Sequence, residues 1–189
     1  MKIYDISQEL LSSAVYEGDQ APVIEKVKDY VEEGYVLSNI KMCLHNGTHI
    51  DAPSHFNRFG ESIDKLALDT FVGECKVIEI NGFVTAEIMA SLPKGLERLL
   101  IKGKNIFTPS AAIEVEFTQL RLIGIENQSI GGNDFFHVHK LLSSKKVAVI
   151  EGLRLKDVPK GDYFLCAQPL NIKGAEGSPC RAILIEKSK

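Results

Sequence analysis

The chain has 189 residues, with 22 Lys and Arg against 25 Asp and Glu, which gives a formal net charge of −3. Hydrophobic residues make up 44% of it, a composition that excludes collagen-like, low-complexity and wholly disordered chains. The near-neutral charge, with no basic stripe, predicts no nucleic-acid binding. Because no apolar run approaches the ~18 residues of a membrane span, we expect no membrane association and a cytoplasmic protein with reduced cysteines.

Short apolar runs recur along the chain at strand length, each bounded by Gly, Pro, Asn or Lys. They cover residues 36–44, 76–80, 98–101, 121–125, 146–150, 163–167 and 181–186. Between them, helices are predicted at 86–92, 111–117 and 135–143, with Thr85, Ser110 and Asp134 as N-caps. This alternation predicts an α/β fold in a single domain, residues 1–189. The sheet is expected to be mixed, because the N-terminal third is predicted to have longer strands and more turns.

The histidines are unevenly distributed along the chain. His45, His49 and His55 lie within eleven residues, and His137 and His139 are two residues apart. Histidine used only for packing is expected to scatter, whereas metal ligands and proton shuttles cluster. The distribution therefore indicates a functional site.

The densest segment reads His-Asn-Gly-Thr-His-Ile-Asp-Ala-Pro-Ser-His-Phe over residues 45–56. Its Asn-Gly pair and its proline disfavour a helix. In an extended chain His49 and Asp51 project to the same side, and a backbone turn at Gly47 allows His45 to join them. Two imidazoles and a carboxylate suit Zn²⁺, Mn²⁺ or Fe²⁺, and the two oxygens of Asp51 can bridge two ions.

A second group of candidate ligands lies near the end of the 146–150 strand. Glu151 closes this apolar strand, and ligands in α/β proteins gather at the carboxyl ends of strands. His139 lies near the start of a predicted helix, and His137 is interpreted as a helix-capping or supporting residue. Taken alone, Glu151 is equally well explained as a solvated strand end, and the His49/Asp51 pair as a surface ion pair.

Residues 45–56 match throughout the motif His-x-Gly-Thr-His-x-Asp-x-Pro-x-His-Phe, and so resemble the cyclase family of metal-dependent hydrolases. Characterised members of this family include bacterial kynurenine formamidase (arylformamidase) and isatin hydrolase. Residues 4–7 resemble the family's N-terminal Asp-Leu-Ser, residues 16–19 its aromatic-Pro-Gly-Asp loop, and residues 123–129 its Gly-x-Asp-x-x-Ser segment. The resemblance therefore covers most of the chain.

The resemblance implies a swivelling β/β/α fold and a homodimer or higher homo-oligomer, in which the N-terminal loop reaches a neighbouring site. It also implies one or two divalent ions per subunit, with zinc expected first and manganese second. The implied ligands are His45, His49 and Asp51 at one site and Asp51, His139 and Glu151 at the other. The implied catalytic histidine is His55.

The resemblance further implies a hydrolase of small amides, acting on N-formylkynurenine-like aryl formamides or on cyclic amides. His55 would take a proton from the attacking water and return it to the leaving nitrogen. Tyr16, which stands where formamidases have Trp, would offer an aromatic face to the substrate. Glu17 replaces the family's Pro and Glu126 its Asp. A charge on Glu17 facing the pocket would make formylkynurenine a poor substrate.

Three alternatives remain open from the sequence. The chain could be a metal-dependent ring-forming or ring-opening enzyme acting on another small carbonyl compound. It could be a non-catalytic homologue that binds a small molecule or metal. It could also be a protein-interaction domain with an incidental histidine cluster, which predicts no stoichiometric metal.

Overall fold

A computed structural model describes residues 1–186 of the chain. The described strands are β1 Ile3–Asp5, β2 Val23–Lys28, β3 Leu37–Lys41, β4 His49–Asp51, β5 Val72–Glu79, β6 Gly82–Val84, β7 Arg98–Lys102, β8 Asn105–Phe107, β9 Leu122–Ile125, β10 Ala148–Glu151, β11 Gly161–Cys166, β12 Gly177–Pro179 and β13 Ile183–Glu186. The described α-helices are α1 Tyr30–Glu33, α2 Ala86–Ala90, α3 Pro109–Glu114 and α4 Phe135–Ser144.

Nine strands form one large mixed sheet in the order β1-β13-β11-β5-β7-β9-β10-β4-β12. The central strands β5, β7, β9 and β10 run parallel. The strands on both sides of them pair antiparallel. Strands β2 and β3 form a separate antiparallel pair, and β6 and β8 a separate parallel pair. The predicted mixed sheet is confirmed.

Successive side chains of the central strands enter two different cores. In β7, Leu100 joins one buried cluster, while Leu99 and Ile101 join another, as the two-residue period of a strand requires. Helices α2, α3 and α4 cover the second cluster. The first cluster also contains Ile6 and Leu184 from one edge of the sheet, which therefore curls over its own inner face. The predicted α/β class and the predicted β/β/α arrangement are both confirmed.

Each of the seven predicted strands has a counterpart in the structure. The prediction of longer strands in the N-terminal third was wrong. The longest strand is β5, with eight residues, whereas β1 and β4 near the N-terminus have three each. Turns shorten these early strands. The sheet is mixed because its central strands pair parallel and its outer strands pair antiparallel, and strand length plays no part.

The predicted N-cap of α3 was wrong by two residues. The helix begins at Pro109, and the hydroxyl of Thr108 accepts a hydrogen bond from the third helical N–H at 3.2 Å. Ser110 lies inside the first turn, because proline is well tolerated as the first helical residue. Thr85 and Asp134 occupy the predicted cap positions, but their side chains make no capping hydrogen bond.

The β2–β3 pair and the short helix between them form a hairpin, residues 23–41, that is almost entirely exposed. It carries apolar side chains that pack into neither core, including Ile24 at 55% and Ile40 at 52% exposure. These two residues are cross-strand partners and share one face. Within residues 1–186, none of the helices is long and apolar enough to cross a membrane.

Candidate metal centre

The candidate site lies at the carboxyl end of β10, where β4 runs beside it. Antiparallel pairing places His49, the first residue of β4, opposite Glu151, the last residue of β10. His49 Nε2 lies 3.6 Å from Glu151 Oε2 and 3.5 Å from Asp51 Oδ1. The expectation that His49 and Asp51 project to the same side is met.

His45 reaches the same carboxylate from the turn before β4. Gly47 in this turn has a φ of +67°, a conformation that glycine adopts without strain. The turn brings His45 Nδ1 to 2.8 Å from Asp51 Oδ1. On its other side the ring lies against Gly177 of β12, where an added Cβ would stand only 2.6 Å from His45 Cε1. The backbone of β12 therefore forms one wall of the His45 position.

The second ligand group comes from α4 and β10. His139, the fifth residue of α4, places Nε2 3.2 Å from Asp51 Oδ2 and 3.2 Å from Glu151 Oε1. It lies in the middle of the helix rather than near its start. Glu151 Oε1 also accepts the backbone N–H of Ile130 at 2.8 Å, which fixes the carboxylate in place.

Asp51 is the residue that the two groups share. Its Oδ1 faces His45 and His49, and its Oδ2 faces His139. In each group the candidate ligand atoms lie within 4.8 Å of one another. Asp51 and Glu151 are 4% and 3% exposed, and two buried carboxylates beside imidazole nitrogens form a donor set that suits a divalent cation. The residues present fit a bound metal.

Two of the candidate histidine ligands have their second ring nitrogen held by a backbone carbonyl. His49 Nδ1 lies 3.2 Å from the oxygen of Gly47, and His139 Nδ1 lies 2.7 Å from the oxygen of Phe135. Such contacts orient each ring, and in the neutral form with its hydrogen on Nδ1 the lone pair of Nε2 is available to a cation held by the carboxylates.

The electrostatics of the centre favour a positive charge. Burial by itself would raise the pKa of Asp51, but hydrogen bonds from His139 and His45 hold it well below its usual range. Burial would lower the pKa of His139, yet Asp51 and Glu151 raise it to about 10. Burial also opposes the rise in the pKa of His49, which Glu151 and Asp51 produce. The carboxyl groups of Asp51 and Glu151 therefore create a negative potential that favours a bound cation.

His55 stands beside this centre at the end of the 3₁₀ turn Pro53–His55, against which α4 packs. Its ring stacks on His45 with centroids 4.2 Å apart, and meets Phe56 edge-on at 4.4 Å. Partial burial among these rings lowers the pKa of His55, although the residue keeps access to solvent. His55 is thus next to the candidate ligands without contacting either carboxylate.

The candidate ligands and His55 line one cavity of about 210 Å³. Phe56 and Phe135 add apolar walls, and Phe56 stacks on His139 at a centroid distance of 4.3 Å. The complete lining consists of Tyr16, Asp19, His45, His49, Asp51, His55, Phe56, Gln128, Ser129, Phe135, His139 and Glu151. Gln128 and Ser129 come from the segment after β9, so this segment also reaches the site.

The N-terminal loop contributes a different acid from the one expected. Tyr16 lines the cavity while remaining 41% exposed. Glu17 is exposed and is not among the lining residues, whereas Asp19 is. The negative charge facing the cavity from this loop therefore belongs to Asp19, because the turn at residues 16–19 reverses the chain and returns Asp19 to the cavity.

Two other residues singled out in the sequence lie outside the cavity. His137 is exposed in the first turn of α4 and does not line the cavity, which leaves it outside the candidate ligand set. Glu126 accepts backbone N–H groups of Gly103 at 2.7 Å and Leu155 at 2.9 Å. It therefore clamps the chain that follows Glu151.

Glu176 was missed by the sequence reasoning. It directly precedes β12, and its Oε1 lies 3.4 Å from His45 Nε2. No histidine or metal-ligand spacing surrounds it in the sequence. Its approach to His45 depends on the pairing of β12 with β4, which the sequence does not reveal.

Comparison with known proteins places the chain in a family. A sequence model of the family described as "Putative cyclase" matches residues 4–105, more than half of the chain. The chain belongs to the cyclase family. The resemblance seen in residues 45–56 is thereby confirmed.

Individual relatives of the cyclase family extend the match. Cyclase-like protein 1 of Oryza sativa subsp. japonica is 35% identical, covering 87% of this chain and 70% of its own length. Kynurenine formamidase of Erythrobacter litoralis (strain HTCC2594) is 34% identical, covering 98% of this chain and 94% of its own. A solved structure of a potential metal-dependent hydrolase with cyclase activity superposes with a TM-score of 0.84 at 30% identity, covering 100% of this chain and 99% of its own.

The shared position of Asp51 gives a test of the two ligand groups. Asp51→Ala should abolish metal binding, because both groups lose a carboxylate oxygen. Glu151→Ala should mainly empty the second group. Metal content of dialysed protein measures both, with the exposed Asp134→Ala as the control that retains wild-type metal. Wild-type metal content in Asp51→Ala would exclude the bridging role.

Proposed function

We propose that this protein is a metal-dependent hydrolase of a small amide, with His55 as its catalytic histidine. The observation that carries the proposal is the position of Asp51, which links two ligand groups at a cavity that His55 also lines. Its full-length similarity to a kynurenine formamidase supports an amide as the substrate class.

We infer that each subunit holds two divalent ions, zinc in preference to manganese. The first ion would be held by His45, His49 and Asp51, and the second by Asp51, His139 and Glu151. Imidazole nitrogens and carboxylate oxygens are common zinc ligands, and the same donors accept manganese. Three protein ligands at each ion leave room for substrate or water.

Amide hydrolysis needs an electrophilic carbonyl, a nucleophilic water and a proton for the leaving nitrogen. Divalent ions in such a centre supply Lewis acidity and a water of lowered pKa. The ring of His55 takes the proton released when water attacks the carbonyl carbon. It then delivers this proton to the nitrogen as the C–N bond breaks, which gives an amine and a carboxylic acid, and the acid loses its remaining proton to solvent.

The cavity favours a small planar substrate without a free carboxylate. Its volume of about 210 Å³ is below the ~300 Å³ at which pockets for drug-sized ligands begin. Tyr16, Phe56 and Phe135 provide aromatic faces for a planar group. None of the lining residues is Lys or Arg, and Asp19 adds a negative charge. An uncharged aryl formamide or small cyclic amide fits these walls best.

We propose that a second copy of this chain covers the apolar hairpin, residues 23–41. An isolated two-stranded hairpin is marginally stable in water, and contiguous apolar surface marks association sites. The loop that carries Tyr16 and Asp19 leads directly into this hairpin. Docking the hairpin would therefore also fix one wall of the cavity.

We also propose that the protein is cytoplasmic, because its four cysteines are free thiols.

Substitution of His55 tests whether this residue acts in catalysis or in metal binding. His55→Ala should keep both ions, because His55 belongs to neither ligand group, while kcat for formanilide falls by about 10²–10⁴-fold. Elemental analysis and steady-state kinetics on the same preparation measure the two effects, with the exposed His137→Ala as the control. If His55→Ala lost its metal, His55 would be a ligand and the proton-transfer role would be wrong. If wild-type protein hydrolysed no amide, formamide or lactone, a non-catalytic binding protein would be favoured.

Substrate charge gives a second test. We expect a lower kcat/KM for formylkynurenine than for formanilide, because the amino-acid carboxylate meets Asp19 and no Lys or Arg side chain lines the cavity. Asp19→Asn should narrow this gap by roughly 2–5-fold, the range expected for a partly solvated charge pair. Glu17→Gln is the matched control and should leave the ratio unchanged. A wild-type preference for formylkynurenine would identify the protein's activity as that of a kynurenine formamidase.

The hairpin gives a third test. The double variant Ile24→Lys/Ile40→Lys should be monomeric by light scattering, with an unchanged circular dichroism spectrum and a raised KM. The wild type should be a dimer or a larger assembly. Phe117→Lys, at an exposed apolar residue distant in sequence from the hairpin, is the control that keeps the wild-type mass. A monomeric wild type would show that the hairpin does not mediate self-association.

A further inference from the structure

One ring nitrogen in the metal centre lacks the partner that its counterparts have. In His49 and His139 a backbone carbonyl holds Nδ1 and leaves Nε2 facing the carboxylates. His45 has the opposite orientation, since its Nδ1 lies 2.8 Å from Asp51. Its Nε2 is completely enclosed and has no hydrogen-bond partner among residues 1–186. If Nδ1 gives its lone pair to a metal ion, Nε2 carries the hydrogen, and an enclosed ring N–H without an acceptor is unfavourable.

The carboxylate of Glu176 lies beside this nitrogen, with Oε1 at 3.4 Å. The backbone beneath it is held firmly, because the Glu176 carbonyl accepts the N–H of Ala52 at 2.8 Å. The following residue, Gly177, lets the His45 ring lie directly against this backbone. The Glu176 side chain is 46% exposed and its oxygen is already 3.4 Å from the nitrogen, so it has space to rotate toward the ring N–H.

We propose that Glu176 is a positioning residue for the first metal ion, which it serves by accepting the Nε2–H hydrogen bond of His45. The hydrogen bond holds the tautomer in which Nδ1 of His45 offers its lone pair to the ion. This inference rests on the metal centre of the proposed function. It adds a residue outside both ligand groups.

A carboxylate is a stronger acceptor for this N–H than the carbonyls that serve His49 and His139. It draws the proton toward itself and makes the opposite nitrogen of His45 a better electron donor. Partners of this kind typically contribute about 10–100-fold to metal affinity. Glu176 should therefore strengthen the first ion's binding without contacting the ion.

Glu176 is placed to support His45 rather than to bind the same ion. It approaches Nε2, whereas Asp51 approaches Nδ1 on the other side of the ring. Glu176 is also absent from both groups of converging ligand atoms found in residues 1–186.

The test is the affinity of metal-stripped protein for Zn²⁺, titrated against a chromophoric chelator. Glu176→Gln should weaken the first ion by about 10–100-fold and leave the second, Glu151-dependent ion unchanged. Glu61→Gln is the matched control, because Glu61 is 48% exposed and its carbonyl also accepts an N–H from the 52–54 loop, that of Ser54 at 3.1 Å. The control should bind both ions as the wild type does.

A double-mutant cycle and a cobalt spectrum exclude a general loss of stability. In a His45→Ala background, Glu176→Gln should have no further effect on Zn²⁺ affinity, because the group through which it acts is gone. The Co²⁺ absorption spectrum of Glu176→Gln should keep the wild-type band positions, since the ion's own ligands are unchanged. Glu176→Asp, which keeps the charge on a shorter side chain, should have an intermediate affinity.

Wild-type Zn²⁺ affinity in Glu176→Gln would overturn the inference. Shifted Co²⁺ bands would also overturn it, because they would identify Glu176 as a ligand. An additive effect in the His45→Ala background would show that Glu176 acts by another route. None of these measurements uses turnover. A wild type that binds two ions and hydrolyses nothing would therefore refute the proposed function and leave the assignment of Glu176 intact.

Discussion

The shared carboxylate of Asp51 is the constraint on which the rest of the structure depends. It is buried, and its two oxygens face different imidazoles. Each oxygen therefore favours a positive charge on its own side of the carboxylate. Leaving such a carboxylate buried and unpaired would cost several kcal/mol. The fold brings imidazole nitrogens to Asp51 from a turn, a strand and a helix, which carry His45, His49 and His139.

The sheet provides this geometry because parallel and antiparallel pairing meet at β10. Its parallel pairing with β9 directs its carboxyl end, with Glu151, toward the functional edge. Its antiparallel pairing with β4 places His49 beside Glu151. Helix α4 packs against the sheet and places His139 Nε2 3.2 Å from Asp51 Oδ2. The sheet and helix α4 thus hold the candidate metal centre, whose function would require precise distances.

The substrate side of the site is built differently. Tyr16 and Asp19 come from a loop that leads into an exposed hairpin, and His55 stands on a 3₁₀ turn with access to solvent. Loops of this kind vary more readily among relatives than a buried sheet does. This separation allows the residues that face the substrate to change without disturbing the candidate metal centre.

The sequence by itself indicated the candidate ligands and the central strands and helices of the fold. The two-residue period of a strand places His49 and Asp51 on one side, and an acid ending an apolar strand indicated Glu151. These are local relations, and the family motif adds His45 and His55. The caps were less predictable, because Thr108 and Ser110 are both good capping residues and only the helix start distinguishes them.

Only the tertiary structure decided which residues from distant segments face the site. It selected Asp19 over Glu17, because the direction of a loop side chain depends on the turn that carries it. It brought Glu176 to His45 through the pairing of β12 with β4. No local pattern encodes that pairing, because β12 is an edge strand far from β4 in the sequence, and only the folded chain shows the close approach to His45 that Gly177 permits.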